Sequence, residues 1–385
     1  MNNNYFFNTY GYEPSKGWVG YKKQLNEQGM ETDFHDEFGF GFKPGSAIPE
    51  PQPEPEPTTD KYLTFTANEN GSSVGFYYNR NSDTGKNMQY STDGGATWQD
   101  YTIGVGSSNV VPITIEEGES VKFRGENENL AYVIDEYNYI TIRCAISGSV
   151  AASGDVTSLL NGAGGDVSVP QRCYSYMFSG CTGLTTAPEL PATTLAQSCY
   201  SYMFSGCTSL TTAPELPATT LAQYCYQNMF YGCTALATAP ELPATTLENG
   251  CYSQMFAGCT SLTTAPELPA TILAANCYQG MFWNCTSLTT APELPATTLV
   301  NSCYGAVEMM PGVYMLNGMF EGCSSLNYIK AMFTTEPSGT YLAKWVTGVS
   351  ENGTFVMNSA AEWNPEDYRG ENGIPVGWTV ETASE

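Results

Sequence analysis

The sequence predicts an α/β solenoid, because one unit of 26 residues recurs from Cys173 to the neighbourhood of Cys323. Successive copies begin at Cys173, Cys199, Cys225, Cys251, Cys277 and Cys303. A fixed period of this length is typical of solenoids, in which each unit is too small to bury its own apolar face and must stack on the next. We therefore expect about six coils, preceded by an antiparallel β-sandwich domain and an extended N-terminal anchor.

Each copy reads C-Y-x-x-M-F-x-[GN]-C-T-x-L-x-T-A-P-E-L-P-A-T-x-L-x-x-x, with few exceptions. Cys173 lies four residues before Met177, and Tyr174 lies four before Phe178, a spacing that predicts a short helix with two adjoining apolar stripes. Gly180 and, in the fifth copy, Asn284 occupy position eight, where both residue types tolerate the left-handed conformation that ends a helix. The proline-rich segment that follows predicts a brief strand and an extended return.

The motif M-F-x-G-C-T-S-L, followed by a proline-containing return, resembles the BspA-like branch of leucine-rich repeats over residues 173–330. The period is longer than in that family, Met replaces the usual Ala before Phe, and a second cysteine column is present. The residues that correspond to the family's buried cysteine are Cys181, Cys207, Cys233, Cys259, Cys285 and Cys323. The resemblance implies surface adhesion and ligand binding without catalysis.

Six zones follow from the changes in composition along the chain. They are an aromatic-rich N-terminal anchoring segment (1–47), a Pro/Glu linker (48–60), the β-sandwich domain (61–147), an N-terminal solenoid cap (148–172), the leucine-rich-repeat-like solenoid (173–326) and a C-terminal cap (327–385). The candidate anchor residues are Tyr5, Phe6, Phe7, Tyr10, Tyr12, Trp18 and Tyr21. This segment either docks on a partner or is a disordered tail, and the alternating Pro-Glu linker predicts an extended spacer behind it.

The β-sandwich domain is predicted from residues that alternate with the period of a strand, as in Tyr62–Thr66 and Tyr139–Arg143, and from Gly-containing turns between them. Within it, residues 91–98 resemble the Asp-box of sialidases, S-x-D-x-G-x-x-W. One copy indicates a hairpin turn in which Asp93 bonds local backbone and Trp98 packs beneath. A sialidase needs several such boxes and an arginine cluster, whereas this chain has five arginines in all.

The net charge of −25, with neither Lys nor Arg between Cys173 and Ser302, argues against binding to nucleic acid or to anionic lipid. No apolar stretch approaches the roughly 20 residues that a membrane helix needs. The first ten residues lack the basic and apolar regions of a secretory signal. We therefore expect no membrane insertion, and either the chain is mature and trimmed or it never crosses a membrane by that route.

Twelve of the thirteen cysteines fall at positions one and nine of the repeat, so stacking would align them in two columns. They are either buried free thiols or disulfides of the C-x7-C type. A zinc site is disfavoured because close-spaced pairs are missing and His35 is the only histidine. The repeated A-P-E-L-P predicts a row of exposed carboxylates at Glu189, Glu215, Glu241, Glu267 and Glu293, too uniform for paired acid-base chemistry and too sparse for calcium. We expect no catalytic residues, no metal and no cofactor.

The positions that vary between copies are three and four, seven, and 24 to 26. They either drift on a relaxed surface or form a recognition face, since Tyr, Trp, Asn and Gln make adaptable contacts to protein or sugar. The candidate face comprises Tyr176, Tyr202, Tyr224, Tyr231, Trp283, Asn228 and Gln254, all expected to point outward.

Two functions fit these zones. The first is a phage virion appendage, a head or tail fibre or a capsid decoration, whose N-terminal segment binds other virion proteins while the solenoid binds a glycan or protein on the host surface. The closing segment, from Asn327-Tyr-Ile-Lys-Ala-Met-Phe333 to Gly373-Ile-Pro-Val-Gly-Trp378, resembles proteins of gut Bacteroidales and of the crAss-like phages that infect them. The second function is a BspA-like adhesin of the bacterial cell surface. Either protein could form a homo-oligomer.

Overall fold

A computed structural model describes residues 61–80, 83–135, 138–310, 313–314 and 317–383, together with four short strands before residue 33. The chain divides into two compact units, Met1–Pro57 and Thr58–Glu385.

The first unit contains two antiparallel strand pairs. They are β1 (Gly11–Glu13) with β2 (Gly17–Val19), and β3 (Gln24–Leu25) with β4 (Glu31–Thr32). Tyr12 and Trp18 are opposite one another in the first pair. The other candidate anchor residues, Tyr5, Phe6, Phe7, Tyr10 and Tyr21, lie outside the described residues, as does the Pro/Glu linker. The anchoring role stays a prediction.

The second unit begins with two sheets, whose strands are mostly antiparallel. Their strands are β5 (Leu63–Ala67), β6 (Ser72–Tyr78), β7 (Gln89–Ser91), β8 (Gln99–Asp100), β9 (Gly104–Val105), β10 (Ile113–Ile115), β11 (Ser120–Arg124), β14 (Ile142–Ser147) and β15 (Val150–Ser153). The smaller sheet has the order β10-β6-β14, with β9 also on β6, and the larger includes β15-β5-β11-β7-β8. A separate hairpin joins β12 (Tyr132–Val133) to β13 (Tyr139–Ile140), and a 3-10 helix spans Ser107–Asn109.

An aromatic core lies between these strands, because alternate side chains of each strand face the same side. Phe76 and Phe123, on different sheets, meet edge to face at 5.0 Å. Phe65 contacts Phe123 at 5.9 Å and also Phe178 of the first repeat at 6.1 Å. The core of the sheets is therefore continuous with the core of the solenoid.

The larger sheet also runs into the solenoid through its backbone. β15 pairs in parallel with β16 (Leu184–Thr186) of the first repeat. Beyond this, parallel bridges join equivalent residues of successive coils, for example Thr186 to Thr212 and Thr238 to Thr264. The predicted brief strand is thus reduced to one or two residues in most coils, as the prolines require.

The predicted helix of each coil is wrong, and so is the predicted number of about six coils: the structure is a β-solenoid of about 11 turns with a 26-residue period and little helix. The described residues contain two α-helices, α1 (Ser158–Asn161) and α2 (Gly339–Leu342), and neither belongs to a repeat copy. Residues 172–180 instead form a series of tight turns. Met177 donates its N–H to the carbonyl of Tyr174 in the same coil at 3.1 Å. The next residue, Phe178, instead donates its N–H to the carbonyl of Met203 in the next coil at 2.9 Å.

This alternation explains why the prediction failed. A spacing of four residues places side chains on one face of a helix, and it does the same in consecutive tight turns. The left-handed conformation recurs every four residues, at Arg172 (φ 58°), Tyr176 (φ 61°) and Gly180 (φ 79°), which a helix cannot accommodate. The left-handed geometry predicted for Gly180 and Asn284 (φ 57°) is confirmed.

Columns of identical side chains fill the interior of the solenoid. Tyr200 and Tyr226 stack at 5.9 Å, and Phe204 and Phe230 stack at 5.6 Å. All thirteen cysteines are buried free thiols. At position nine, the Cys233 thiol donates to the carbonyl of Phe204 at 3.1 Å, and the equivalent bond recurs in five other coils.

The sixth copy contains the predicted insertion, which carries a hairpin of β17 (Glu308–Met310) and β18 (Val313–Tyr314). Met319 donates its N–H to Tyr304 at 2.7 Å, so the backbone closes across the inserted loop. The chain then ends in a parallel sheet of β19 (Tyr328–Ala331), β20 (Thr354–Met357) and β21 (Thr379–Thr382), with a 3-10 helix at Pro365–Tyr368.

Trp345 covers the last rings of both aromatic columns. Its side chain is 0% exposed and lies 6.2 Å from Tyr304 and 6.0 Å from Phe320. We call the hydrogen bonds between the tight turns of successive coils the turn ladder. It continues through Trp345, because Phe320 donates its N–H to the carbonyl of Trp345 at 2.8 Å. The core of the last repeat is closed in this way.

Candidate ligand-binding face

Two of the variable positions, four and 26, adopt the left-handed conformation of the tight turns. We call residues 176, 202, 228, 254 and 280 the position-four column, and residues 172, 198, 224, 250, 276 and 302 the position-26 column. Every member of both columns has a positive φ. Residues 179, 205, 231, 257 and 283 form the position-seven column, which directly precedes the Gly or Asn of each coil.

The first two rings of the position-four column are stacked face to face. Tyr176 and Tyr202 lie 4.5 Å apart with ring planes inclined by 6°. The guanidinium group of Arg143, from β14, covers the other face of Tyr176 at 4.6 Å. Burial raises the pKa of Tyr202, and the nearby phenols of Tyr139 and Tyr231 reinforce that rise. These tyrosines therefore share one patch.

The expectation that all seven candidate residues point outward is wrong for Asn228 and Gln254, which are 2% and 8% exposed. They follow Tyr202 in the same column, and each is enclosed by the adjoining coils. The Gln254 side chain packs against Gly280, where an added β-carbon would lie 3.0 Å from Gln254 Cγ. Asn228 keeps its Nδ2 group buried without a hydrogen-bond acceptor among the described residues.

The position-seven column carries the most exposed ring of the predicted set. Tyr231 is 36% exposed and stacks with the half-buried Trp283 at 6.3 Å, with planes inclined by 25°. Ala257 lies between them in the column and is 0% exposed. The structure thus brings Tyr176, Tyr202, Tyr231 and Trp283 to one face.

Tyr224, in the position-26 column, is half-buried and packs on the following coil. A β-carbon on Gly250 would lie 2.4 Å from its ring. At the start of the same column, the guanidinium group of Arg172 covers the ring of Tyr139 at 4.2 Å.

Sequence reasoning missed Tyr139, Arg143, Arg172 and Ala257. Arg172 could have been found, since it occupies position 26 of the coil before the first copy. Ala257 could also have been found as the small residue between two aromatic ones in the position-seven column. No sequence signal connects Tyr139 or Arg143 to the repeat, because they belong to strands that reach it only in the fold.

The structure gives the other candidate chemistries little support. The five A-P-E-L-P glutamates are exposed, as predicted, and Glu293, the last of the row, pairs with Lys330 at 3.0 Å. Burial raises the pKa of the Cys173 and Cys259 thiols to about 12, so these two thiols stay protonated at neutral pH. The described residues contain no group of three or more potential metal ligands.

The Asp-box-like segment is a turn, as predicted. Asp93 accepts hydrogen bonds from Thr97 Oγ1 at 2.5 Å, from the N–H of Thr97 at 2.9 Å and from Ser91 Oγ at 2.7 Å, and these bonds hold the pKa of its carboxyl well below the usual range. Trp98 contacts Tyr62 at 4.8 Å, and Arg124 covers its ring at 4.2 Å. These contacts account for the motif without catalysis.

A comparison with known protein families matches part of the repeat. The BspA-type leucine-rich repeat region matches residues 170–289 in six copies. This match supports the predicted resemblance to BspA-like leucine-rich-repeat proteins and suggests a surface or adhesion repeat protein, in a family that is typically a non-catalytic interaction scaffold. The chain matches no curated protein and no solved structure. Among the described residues, no helix is long and apolar enough to span a bilayer.

Proposed function

We propose that this protein is a non-enzymatic attachment protein whose solenoid presents the aromatic face described above to a cell surface. The observation that carries the proposal is the contrast within each coil. Interior positions repeat almost without change, whereas Tyr176, Tyr202, Tyr231 and Trp283 occupy variable positions and share one face. Aromatic residues on a rigid scaffold are typical of binding surfaces.

The finer proposal is a virion appendage, a head or tail fibre or a capsid decoration, of a crAss-like phage of gut Bacteroidales. The chain divides into the unit Met1–Pro57 and the unit Thr58–Glu385, which bears the face. This division suits an anchor bound to other virion proteins and a head that binds the host. Its localisation would be the virion, and a homo-oligomeric fibre is compatible with this arrangement.

A second candidate is an adhesin of the bacterial cell surface. The BspA-type repeat match at residues 170–289 favours it. In that case the aromatic face is the same, and only the attachment of the N-terminal unit differs.

The deciding experiment locates the chain and measures its binding. Purified phage particles and washed cells from one Bacteroidales co-culture are probed with an antibody against residues 61–383, and the particles are imaged by cryo-electron microscopy. The fluorescently labelled full chain is then titrated onto intact host cells. A Tyr231→Ala, Trp283→Ala variant should lose at least about tenfold in apparent affinity, the loss expected from two interface aromatic residues.

A matched variant, Ser179→Ala, changes the same column at a position without an aromatic ring and should bind as the wild type does. Labelling of cells but not of particles would refute the virion proposal in favour of the adhesin. Equal binding by the double variant and the wild type would refute the assignment of the face.

A further inference from the structure

The slot between Tyr231 and Trp283 has the features of a carbohydrate site. This inference rests on the proposed function and names the ligand class. We propose that the stacked rings of Tyr231 and Trp283 above Ala257, which we call the aromatic slot, bind a sugar ring of a neutral polysaccharide together with Tyr202.

The backbone beneath the slot is held in register by hydrogen bonds between coils. Gly206 donates to the carbonyl of Tyr231, Gly232 to that of Ala257 and Gly258 to that of Trp283, each at 2.7 Å. The side chains of the slot therefore project from a rigid support, which lowers the entropy that binding costs.

The two rings lean towards each other across a gap. Adjacent coils separate the stacked phenylalanines by 5.6 Å, as between Phe230 and Phe256. Tyr231 and Trp283 are two coils apart, yet their rings are only 6.3 Å apart because Ala257 fills none of the space between them. At this distance the rings cover Ala257. In the proposed complex they separate to the roughly 7–8 Å that a sugar ring needs to contact an aromatic face on each side, and the two-coil spacing beneath them allows this.

The tyrosines next to the slot are retained against the preference of the backbone. Tyr202 has a φ of 58°, and Gly280 adopts the same angle at the equivalent position of another coil. A bulky residue is less favourable than glycine in this conformation, which recurs throughout the position-four column. Stacking on Tyr176 offsets part of this difference.

The polar side chains of the face are better suited to hydrogen bonds with the hydroxyl groups of a ligand than to ion pairs with a charged ligand. The position-four and position-seven columns contain only Tyr, Trp, Asn, Gln, Ser, Ala and Gly, and no Lys or Arg lies between 173 and 302. With a net charge of −25, the protein repels an acidic polymer, so a neutral polysaccharide is favoured.

Affinity electrophoresis tests the inference. The full chain is run through native gels that contain soluble mannan, dextran or xylan, and through gels that contain acidic polygalacturonate. At least one neutral polysaccharide should retard the wild type. Trp283→Ala should weaken the retardation at least tenfold, and Ser179→Ala should leave it unchanged.

The sharpest variant is Ala257→Tyr, which places a third ring in the gap and completes the stack as in the interior columns. It should keep or raise the melting temperature measured by circular dichroism and abolish the retardation. It also keeps the test valid if Trp283→Ala fails to fold. The inference would be overturned if Ala257→Tyr were retarded as strongly as the wild type. It would also be overturned if no neutral polysaccharide retarded the wild type, or if only polygalacturonate did.

The same protein preparations separate this inference from the proposed function. Cell binding that is lost when the cells are treated with protease, but not with periodate, would identify a protein ligand and overturn the carbohydrate site while attachment stands. Retardation by a neutral polysaccharide, without association of the chain with particles or cells, would support the carbohydrate site and overturn the proposed attachment function.

Discussion

At the scale of single residues, the buried tyrosine column combines a favourable ring stack with an unsatisfied hydroxyl. Tyr174 donates its hydroxyl to the carbonyl of Val156 at 3.3 Å, whereas the hydroxyls of Tyr200 and Tyr252 are buried without a partner among the described residues. Each unsatisfied group costs about 1–3 kcal/mol. The rings, rather than the hydroxyls, stabilise this column.

We therefore expect Tyr252→Phe to leave the free energy of unfolding unchanged or to raise it by about 1 kcal/mol. Tyr174→Phe is the matched control and should lower it by about the same amount, because it removes a hydrogen bond. Urea denaturation followed by circular dichroism measures both. A larger loss in Tyr252→Phe than in Tyr174→Phe would contradict this account.

The cysteines at position nine are more than small apolar residues, because their thiols donate to a carbonyl of the preceding coil. Cys233→Ser keeps a donor for the carbonyl of Phe204, which Cys233→Ala removes. Cys225, also 0% exposed, belongs to the position-one column, whose thiols make no such bond among the described residues.

We expect Cys233→Ser to be less destabilising than Cys225→Ser, which buries an unsatisfied hydroxyl at a cost of about 1–3 kcal/mol. Denaturation in the presence of a reductant gives both values. Equal losses would show that the thiol hydrogen bond is unimportant.

At the scale of the element, the turn ladder depends on residues that accept a positive φ at intervals of four. Gly206 and Gly250 have φ values of 75° and 61°, but their surroundings differ. A β-carbon on Gly206 would lie 3.7 Å from the neighbouring Gly180, an ordinary contact, whereas one on Gly250 would lie 2.4 Å from the Tyr224 ring.

Gly206→Ala should therefore cost only backbone strain, about 1 kcal/mol. Gly250→Ala should cost more, because the Tyr224 ring must also move. Thermal denaturation of the two variants provides the comparison. Equal losses in the two variants would contradict this account.

At the scale of the whole molecule, stacking multiplies the properties of one coil. The columns place twelve cysteines and six tyrosines of the repeats in one continuous interior, which Trp345 closes at one end. Burial raises the pKa of the Cys173 and Cys251 thiols from 9.0 to about 12, and other thiols of the columns shift in the same direction. The stability of the solenoid should consequently decrease at alkaline pH.

The direction follows from proton binding. A thiol whose pKa is raised in the folded state stays protonated there, while the unfolded chain loses its proton near pH 9.0. The stabilisation is complete below that pH and is lost as the pH rises towards 12. In this pH range, each such thiol lowers the free energy of unfolding by on the order of 1 kcal/mol per pH unit.

We expect the melting temperature to be steady between about pH 7 and pH 8.5 and to fall steeply above pH 9.0. Circular dichroism at constant ionic strength, with a reductant present, measures this profile. A melting temperature that is unchanged at pH 11 would show that the thiols are accessible to solvent in the folded state.

Much of the architecture could be predicted from the sequence, because identical residues in stacked coils must occupy identical environments. The period, the Cys, Tyr, Met, Phe and Leu interior, the left-handed position eight and the brief strand all follow from the repeat. The difference between Gly180 and Asn284 was informative, since these two residue types share one backbone conformation. The variable columns were also visible in the sequence, and they proved to include the exposed aromatic residues.

Only the tertiary structure decided how the backbone of each coil is bonded and which variable residues meet. The N–H of Phe178 donates to Met203, 25 residues further along the chain, and no local pattern distinguishes this from a helical bond. Likewise, Arg143 reaches Tyr176 through a sheet, and Asn228 is buried by its neighbouring coils. By itself the sequence determined which side chains repeat, and long-range hydrogen bonds and packing determined the conformation that they adopt.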